Sequence, residues 1–294
     1  NFYQRPSERI ALTGITGTNG KTTTAYILEA VFRAKDVRTG VIGTINYHYD
    51  NKVIPATVTT PESLDLNRML QEMIEGQVEN CFLEVSSHAL HQSRVHGMHF
   101  KAGIFIEMTG NKNSLILQHS LQADHLIDQV AESVLEKSGK DFREGEFAQV
   151  IANDERVING PGVNVPCISI SRWPYEEYHT TEDNPSIIEE EMLQEAVEMI
   201  ENTVRIFASN YRPMRKFRGP VFLSGYDLWV DWRDNWDLNR AIEKIMMRFE
   251  GDLSVFEIAR ELGLNYWHTR EYVEKFREKG FVDPLPIQSE ARKK

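Results

Sequence analysis

The chain has 294 residues, of which 41% are hydrophobic and 26% are charged, and its formal net charge is −11. These proportions are those of a globular protein long enough for about two domains. The acidic balance argues against non-specific binding to nucleic acid or to anionic membranes, because both need a positive surface.

Cysteine usage and the hydropathy pattern indicate a cytoplasmic protein. Cys81 and Cys167 are the only cysteines and lie far apart, so we expect neither a disulfide framework nor a cysteine metal site. No apolar run approaches ~18 residues, the length that a membrane-spanning helix needs. The N-terminal residues lack the charged-then-apolar order of a signal peptide.

Strands and helices alternate along the first 108 residues. Short apolar runs predict buried strands at 9–16, 39–45, 81–87 and 102–108. Apolar residues at helical spacing predict helices at 21–35 and 59–76. This alternation predicts a parallel α/β sheet with ligands at the carboxyl ends of its strands, where Thr16, Glu84 and Glu107 lie.

The pattern changes after Thr109. We predict a helix over 115–139, strands at 147–152 and 165–171, and a long helix that ends near Ser209. The basic, proline-containing stretch at 210–220 reads as a linker. Three helical segments and a final short strand, from Leu238 onward, have the order of a small winged helix.

A glycine-rich loop between the first strand and the first helix predicts a phosphate site. Gly17 and Gly20 allow backbone N–H groups to point at an anion, and the helix N-terminus adds its positive dipole end. Lys21 would reach the terminal phosphates and the Thr22 hydroxyl would hold Mg²⁺. The spacing departs from the usual phosphate loop, because Ile15 stands where a glycine is expected.

The loop GTNGKTT, with TTPESLDL at 59–66 and EVSSHALHQSRV at 84–95, resembles the Mur ligases, specifically the branch that adds the third amino acid to UDP-N-acetylmuramoyl-L-alanyl-D-glutamate. The resemblance covers residues 5–106 and implies an ATP-dependent amide ligase of peptidoglycan precursor synthesis. It implies that Lys21 and Glu84 are catalytic and that Thr22 and Glu84 hold Mg²⁺. The implied ATP ligands are Gly17, Thr18, Asn19, Gly20, Lys21, Thr22 and Thr23. The implied contacts to the UDP-muramoyl peptide are Thr59, Thr60, Ser86, Gln92 and Arg94.

Elementary chemistry agrees with two of these assignments. A carboxylate such as Glu84 is a hard oxygen ligand that suits Mg²⁺, and Arg94 can form a forked pair with an acidic substrate. A solvated acid at the strand end is the alternative for Glu84. His88 and His91 read as surface or packing histidines and receive no role.

The ligase pattern is interrupted after residue 106. The family's Asn-Leu, Asp-His-Leu-Asp-x-His run, its carbamylated lysine and its amino-acid-receiving domain are not found. Asp124, His125 and Leu126 echo that run, but they lie well downstream in a helical pattern, so we give them no role.

The stretch IEMTGNKNSLILQHS at 106–120, the stretch from DFREGEF to TTEDNP at 141–185 and the terminal winged helix carry a second resemblance. On these features, residues 102–284 resemble the end of a zinc aminopeptidase-like family with a two-zinc peptidase fold. The resemblance implies that Glu107 ligates one zinc, that His179 ligates the other, and that a peptide is the substrate. A hydrolytic zinc needs about three protein ligands and an open water position. The upstream ligands and the general base of that family are absent, and His179 could equally be a loop histidine.

The sequence therefore predicts an α/β protein with a P-loop-type parallel sheet in its N-terminal half, an α/β peptidase-like part and a C-terminal winged helix. The predicted domains are 1–106, 107–210, a linker at 211–237, and 238–294. We interpret the chain as a hybrid that binds nucleotide but whose two active sites are incomplete. Two origins compete: a spliced reading frame, and a natural fusion that serves as a binding module. We favour the first, because the resemblance to each family is interrupted within that family's active site.

Two other functions stay open, a zinc aminopeptidase-like hydrolase and a module that contacts DNA through the winged helix. The recognition helix would present Trp267, His268, Arg270 and Lys275. Its face also carries Glu271 and Glu274, which repel phosphate. A packing or protein-contact role is therefore favoured over DNA binding.

Overall fold

A computed structural model describes residues 3–17, 20–150, 152–161, 163–174 and 176–287. The chain forms two compact units, Asn1–Thr203 and Val204–Lys294. In the described ranges, no helix is long and apolar enough to cross a membrane.

One sheet forms the centre of the first unit. Its strands are β1 (Ala11–Thr16), β2 (Thr39–Ile42), β3 (Asn46–Tyr49), β4 (Lys52–Pro55), β5 (Asn80–Glu84), β6 (Gly103–Ile106), β7 (Leu115–Gln118), β8 (Phe142–Gly145) and β9 (Cys167–Ser171). Their order is β4-β3-β2-β5-β1-β6-β9-β7-β8, and the central run from β2 to β9 is parallel. The predicted α/β class with a mostly parallel sheet is confirmed.

The helices of this part of the chain are α1 (Lys21–Arg33), α2 (Ser63–Glu75), α3 (Ser87–His91), α4 (Leu126–Ser138), α5 (Glu155–Asn159) and α6 (Glu190–Ser209). Helix α2 shows how the sequence builds the core. Leu66, Met69, Leu70 and Met73 recur at helical spacing and are buried in one cluster with strand residues such as Leu83. Burying each of these side chains stabilises the fold by about 1.5–3 kcal/mol.

Strand β6 continues the sheet across the predicted junction at residues 106 and 107. On one side Ile104 pairs with Ile15 of β1, and on the other Gly103 pairs with Cys167 of β9. A β-carbon at Gly103 would lie 2.9 Å from the Cys167 sulfur, so the glycine permits this close approach. The residues predicted as two separate parts, 1–106 and 107–210, thus share one sheet.

Two predicted elements after the junction are wrong. The first residues of the predicted helix 115–139 form β7, which pairs antiparallel with β9, and only the later residues form α4. All four residues of β7 are buried, and a short apolar run that is buried on both faces cannot be told from a helix by its pattern. The predicted strand 147–152 includes a turn in which the Gln149 N–H donates to the Glu146 carbonyl, and the strand nearby is β8 instead. The hairpin of β3 and β4 was not predicted.

The second unit contains α7 (Trp236–Met246), α8 (Val255–Glu261) and α9 (Tyr266–Glu278), with the strands β10 (Arg212–Arg215) and β11 (Val282–Leu285). Strand β10 lies inside the segment interpreted as a linker and pairs antiparallel with β11. The four residues of β10 belong to the folded unit because they form main-chain hydrogen bonds with a distant strand. Composition alone does not reveal such bonds. The winged helix stays a prediction.

Several polar groups of α9 are used within the second unit. The Arg205 guanidinium lies 4.9 Å from the centre of the Trp267 ring. Arg270 donates to the Ser209 carbonyl and lies 3.7 Å from the Glu274 carboxylate. These contacts favour the packing role for the helix over the DNA contact.

Candidate functional site

The turn between β1 and α1 has the backbone that the sequence requires. Gly17 and Gly20 have φ angles of 137° and 81°, which favour glycine, and Gly20 is the N-cap of α1. The Lys21 ammonium donates to the Gly17 carbonyl at 2.6 Å. The predicted ATP ligands Thr18 and Asn19 lie outside the described residues.

The N-terminus of α1 can receive an anion. No side chain in the described part of the chain caps it, and its first turn carries no acidic residue. The first N–H groups of a helix have no acceptor within the helix, and the helix dipole favours negative charge at this end. Together with the lysine, this geometry fits the phosphates of a nucleotide.

Beside this turn, Glu84 ends β5 as a carboxylate with no exposed area. Its Oε2 accepts from the hydroxyls of Thr22 and Thr44, at 2.9 and 3.0 Å, and its Oε1 accepts from the Thr44 N–H at 3.0 Å. No Lys, Arg or His forms an ion pair with Glu84 in the described residues. Burial and the charges of Glu29 and Glu84 raise the pKa of the Tyr26 phenol.

These atoms fit a magnesium ion. Buried charges in proteins are normally paired or coordinate a metal, and Glu84 has hydroxyl and amide partners only. Mg²⁺ takes hard oxygen ligands in an octahedron with bonds of about 2.0–2.1 Å, so adjacent ligand oxygens are about 2.9 Å apart. The Thr22 and Glu84 oxygens have that separation. Thr44 is exposed and Thr22 is half-buried, whereas the carboxylate itself has no exposed area.

Four of the five predicted substrate contacts lie in a network next to Glu84. The Thr59 hydroxyl is 3.1 Å from that of Thr44, and the Thr60 hydroxyl donates to the Glu84 carbonyl at 2.8 Å. The Ser86 N–H donates to the Thr60 hydroxyl, and Arg94 donates to the Thr60 carbonyl.

The guanidinium of Arg94 already has an acidic partner. Its Nη2 lies 3.0 Å from a carboxylate oxygen of Glu62, whose side chain is 68% exposed. An acidic substrate that binds Arg94 would therefore compete with an exposed surface carboxylate. Gln92 is exposed at the C-terminus of α3, and Thr23 is exposed in the first turn of α1.

Gly43 and Thr44, the two residues that follow β2, were not predicted to belong to the site. A β-carbon on Gly43 would lie 2.0 Å from Glu84 Oε1, so only glycine leaves room for the carboxylate. The dipeptide was interpreted as part of a longer strand, 39–45, whereas β2 ends at Ile42. A Gly-Thr pair at a strand end was the available signal.

The two predicted zinc ligands have separate local surroundings. Glu107 follows β6, and one of its carboxylate oxygens accepts from the Asn153 amide at 2.5 Å. His179 is exposed, and its ring centre lies 4.1 Å from that of Tyr178. The described part of the chain holds no group of three or more His, Cys, Asp or Glu that could bind a metal ion. The residues described here do not supply the donor set of a hydrolytic zinc.

Comparison with protein families gives two overlapping matches. The profile of the Mur ligase middle domain matches residues 15–111, and that of a domain of unknown function, DUF4910, matches residues 78–210. Both matches include β5 and β6. The resemblance of the first part of the chain to Mur ligases is thus confirmed.

Among curated proteins, UDP-N-acetylmuramoyl-L-alanyl-D-glutamate–2,6-diaminopimelate ligases are similar to this chain. The ligase of Solibacter usitatus is 50% identical over 108 residues, which cover 37% of this chain and 22% of the relative. The ligase of Geobacter metallireducens is 47% identical over 108 residues, covering 37% and 21%. The chain spans about a fifth of the length of the relatives it matches.

Among solved structures, a putative peptidase from Clostridium acetobutylicum has a similar fold. The TM-score is 0.61 at 14% identity, and the match covers 94% of this chain and 57% of the peptidase. At that identity the likeness concerns the fold alone. The sequence comparison therefore relates the first part of the chain to ligases, while the structural comparison gives a peptidase-like fold.

Proposed function

We propose that this chain binds Mg-ATP between the loop at residues 17–23 and the end of β5. The observation that carries the proposal is Glu84, a fully buried carboxylate without a cationic partner in the described residues, 2.9 Å from the Thr22 hydroxyl. It adjoins a helix N-terminus that is free of acidic residues. A magnesium nucleotide supplies the cation that the carboxylate lacks and the anion that the helix favours.

Each residue has a role in this site. The first N–H groups of α1 bind phosphate oxygens, and Lys21 exchanges the Gly17 carbonyl for a phosphate. Thr22 and Glu84 hold the metal, which offsets phosphate charge when it is bound. The other predicted ATP ligands of the loop, which are Gly17, Thr18, Asn19, Gly20 and Thr23, complete the phosphate-binding site.

We further propose that the network of Thr59, Thr60, Ser86 and Arg94, with Gln92, derives from a site for a UDP-muramoyl peptide. The support is the named substrate of the related ligases and the hydrogen bonds that join four of these residues to the end of β5. The aligned part is about a fifth of those ligases, and their metal-placing run after residue 106 is not found. We therefore propose that residues 1–294 bind nucleotide without forming the amide bond.

Nucleotide titration tests the proposal. We expect Lys21→Ala to weaken Mg-ATP binding about tenfold or more, which is roughly 1.4 kcal/mol per decade. Lys35→Ala is the matched control, because Lys35 is exposed just beyond α1. Fluorescent ATP analogues or calorimetry give both affinities. Equal affinity for the wild type and Lys21→Ala would rule out the phosphate cradle.

A product assay tests the second part. The wild type is incubated with ATP, magnesium, UDP-muramoyl dipeptide and 2,6-diaminopimelate or another amino acid, and the mixture is analysed by mass spectrometry. We expect no tripeptide product, because no identified group receives the incoming amino acid. Formation of the product would show that the ligase site is complete.

The peptidase-like part is a weaker candidate for function. A zinc hydrolase acting on peptides would use Glu107 and His179, and a general base is not identified beside them. The contact of Glu107 with Asn153 gives no support to a metal there. Contact with DNA through α9 is likewise disfavoured by the pairing of Arg270 with Glu274.

A further inference from the structure

The first unit contains a cavity of about 540 Å³, with both apolar and polar walls, that neither resemblance assigns. Its size is within the ~300–1,000 Å³ range of small-molecule sites. Its walls include Val85, Leu90, Phe100, Ile158 and Val165.

The cavity is built from both sides of the junction at β6. Val85 and Phe100 precede the strand and lie where the Mur ligase and DUF4910 matches overlap. Ile158 and Val165 follow it and are matched only by the DUF4910 profile. Thr16 is matched only by the Mur ligase profile, so neither match contains the whole lining.

The lining is neutral but contains one unsatisfied polar group. No Asp, Glu, Lys or Arg is found among the described lining residues, and the single histidine, His96, is exposed. Thr16 lines the cavity at the end of β1 and is only 3% exposed. Its buried Oγ1 has no hydrogen-bond partner in the described part of the chain. A buried hydroxyl without a partner is unfavourable, and a polar group of a bound ligand can supply the missing partner.

We propose that this cavity binds a small neutral molecule with an apolar body and one hydroxyl or carbonyl group that pairs with Thr16. The lining offers a charged ligand no Asp, Glu, Lys or Arg as a partner, so a neutral molecule is favoured. The volume and the walls hold the apolar body, and the threonine hydroxyl selects the polar group. This site is separate from the proposed Mg-ATP site and does not depend on it.

Two probes that differ by one hydroxyl test the proposal on the full chain, naphthalene-1-methanol and 1-methylnaphthalene. Calorimetry or naphthalene fluorescence measures both affinities. We expect the alcohol to bind about fivefold more tightly than the hydrocarbon, since one hydrogen bond contributes about 1 kcal/mol. In Thr16→Val, which keeps the side-chain shape, we expect the alcohol to bind no more tightly than the hydrocarbon, because its buried hydroxyl then has no partner.

A cavity-filling variant locates the site. Val163 lines the cavity and is 37% exposed, so Val163→Trp can fill the space without entering the core. We expect it to weaken both probes tenfold or more. Val157→Trp is the matched control, because Val157 is 46% exposed and lies outside the lining. It should bind both probes as the wild type does.

Three results would overturn the proposal. They are failure of both probes to bind the wild type, equal weakening by the two tryptophan variants, and a preference for the alcohol that persists in Thr16→Val. If Val163→Trp fails to fold by circular dichroism, the Thr16→Val comparison alone decides whether the hydroxyl recognises the ligand.

Discussion

The Thr22 hydroxyl donates to the Glu84 carboxylate at 2.9 Å, although the two residues are 62 positions apart in the chain. The contact exists because β1 and β5 are adjacent parallel strands, with Ile15 paired to Glu84. Their carboxyl ends meet at one edge of the sheet, where ligands of α/β proteins bind. The strand pairing thereby brings the phosphate loop and the carboxylate together.

Substitution of the carboxylate should remove the effect of magnesium on nucleotide binding. In Glu84→Gln the side chain keeps its length but loses the charge that holds the metal, so we expect ATP affinity to become nearly equal in magnesium and in EDTA. The wild type and Glu75→Gln, which alters an exposed carboxylate on α2, should both bind ATP several-fold more tightly with magnesium. Titrations with and without the metal decide the matter. A magnesium effect of wild-type size in Glu84→Gln would place the metal elsewhere.

A methyl group at Gly43 should destabilise the fold. Its β-carbon would stand 2.0 Å from Glu84 Oε1, and overpacking of this kind costs about 1–3 kcal/mol. Gly76→Ala is the control, because its β-carbon would meet the nearest atom at 3.4 Å and its φ is −77°. Urea denaturation gives both free energies of unfolding.

The proposed cause of the destabilisation by Gly43→Ala, which is contact with the Glu84 carboxylate, can be tested separately. If the carboxylate is the obstacle, Gly43→Ala should cost much less in a Glu84→Ala background, and the difference is the coupling between the two positions. A Gly43→Ala variant as stable as the wild type would mean that the carboxylate moves freely.

His125 should make stability depend on pH. It is buried as the N-cap of α4, where its Nδ1 accepts from the Ile127 N–H, and burial lowers its pKa below the ordinary value of about 6.5. The unfolded chain then binds the proton more readily than the folded chain, so stability is lost as the pH falls below about 6.5.

The control for this prediction is His125→Asn, which keeps a capping side chain but does not titrate. Denaturation at several pH values compares the two proteins. The wild type should lose stability relative to the variant as the pH falls from about 7 to 5. Parallel curves for the two proteins would contradict the prediction.

Zinc-dependent hydrolysis is not expected. Glu107 and His179 are two of the ligands that a two-zinc site requires, and the described residues contain no larger group of metal-binding side chains. A panel of aminoacyl anilides with added zinc measures the activity of the wild type, Glu107→Ala and His179→Ala. Turnover that needs zinc and disappears in either variant would show a working peptidase site and refute the interpretation of two interrupted enzymes.

Part of the site was readable from the sequence because its signals are local. The loop from Gly17 to Thr23 and the strand that ends at Glu84 are short patterns whose chemistry follows from neighbouring residues. Gly43 and Thr44 were missed because their role depends on β2 lying beside β5, a pairing of residues about 40 positions apart. The exposed Gln92, assigned from a motif alone, forms no side-chain hydrogen bond with the network around Thr60 in the described residues.

The α/β class, the parallel strands on both sides of the phosphate loop, and the resemblance of the first part to Mur ligases could all be predicted from the amino-acid sequence. Those properties follow from periodicity and from short motifs. The three-dimensional fold was needed to show that β6 joins both parts in one sheet, that β7 runs antiparallel to β9, and that β10 pairs with β11. Strand pairing is made of main-chain hydrogen bonds between distant segments, and these bonds leave little trace in side-chain pattern. The cavity beside Thr16 has the same origin, because its two walls meet only after the strands have paired.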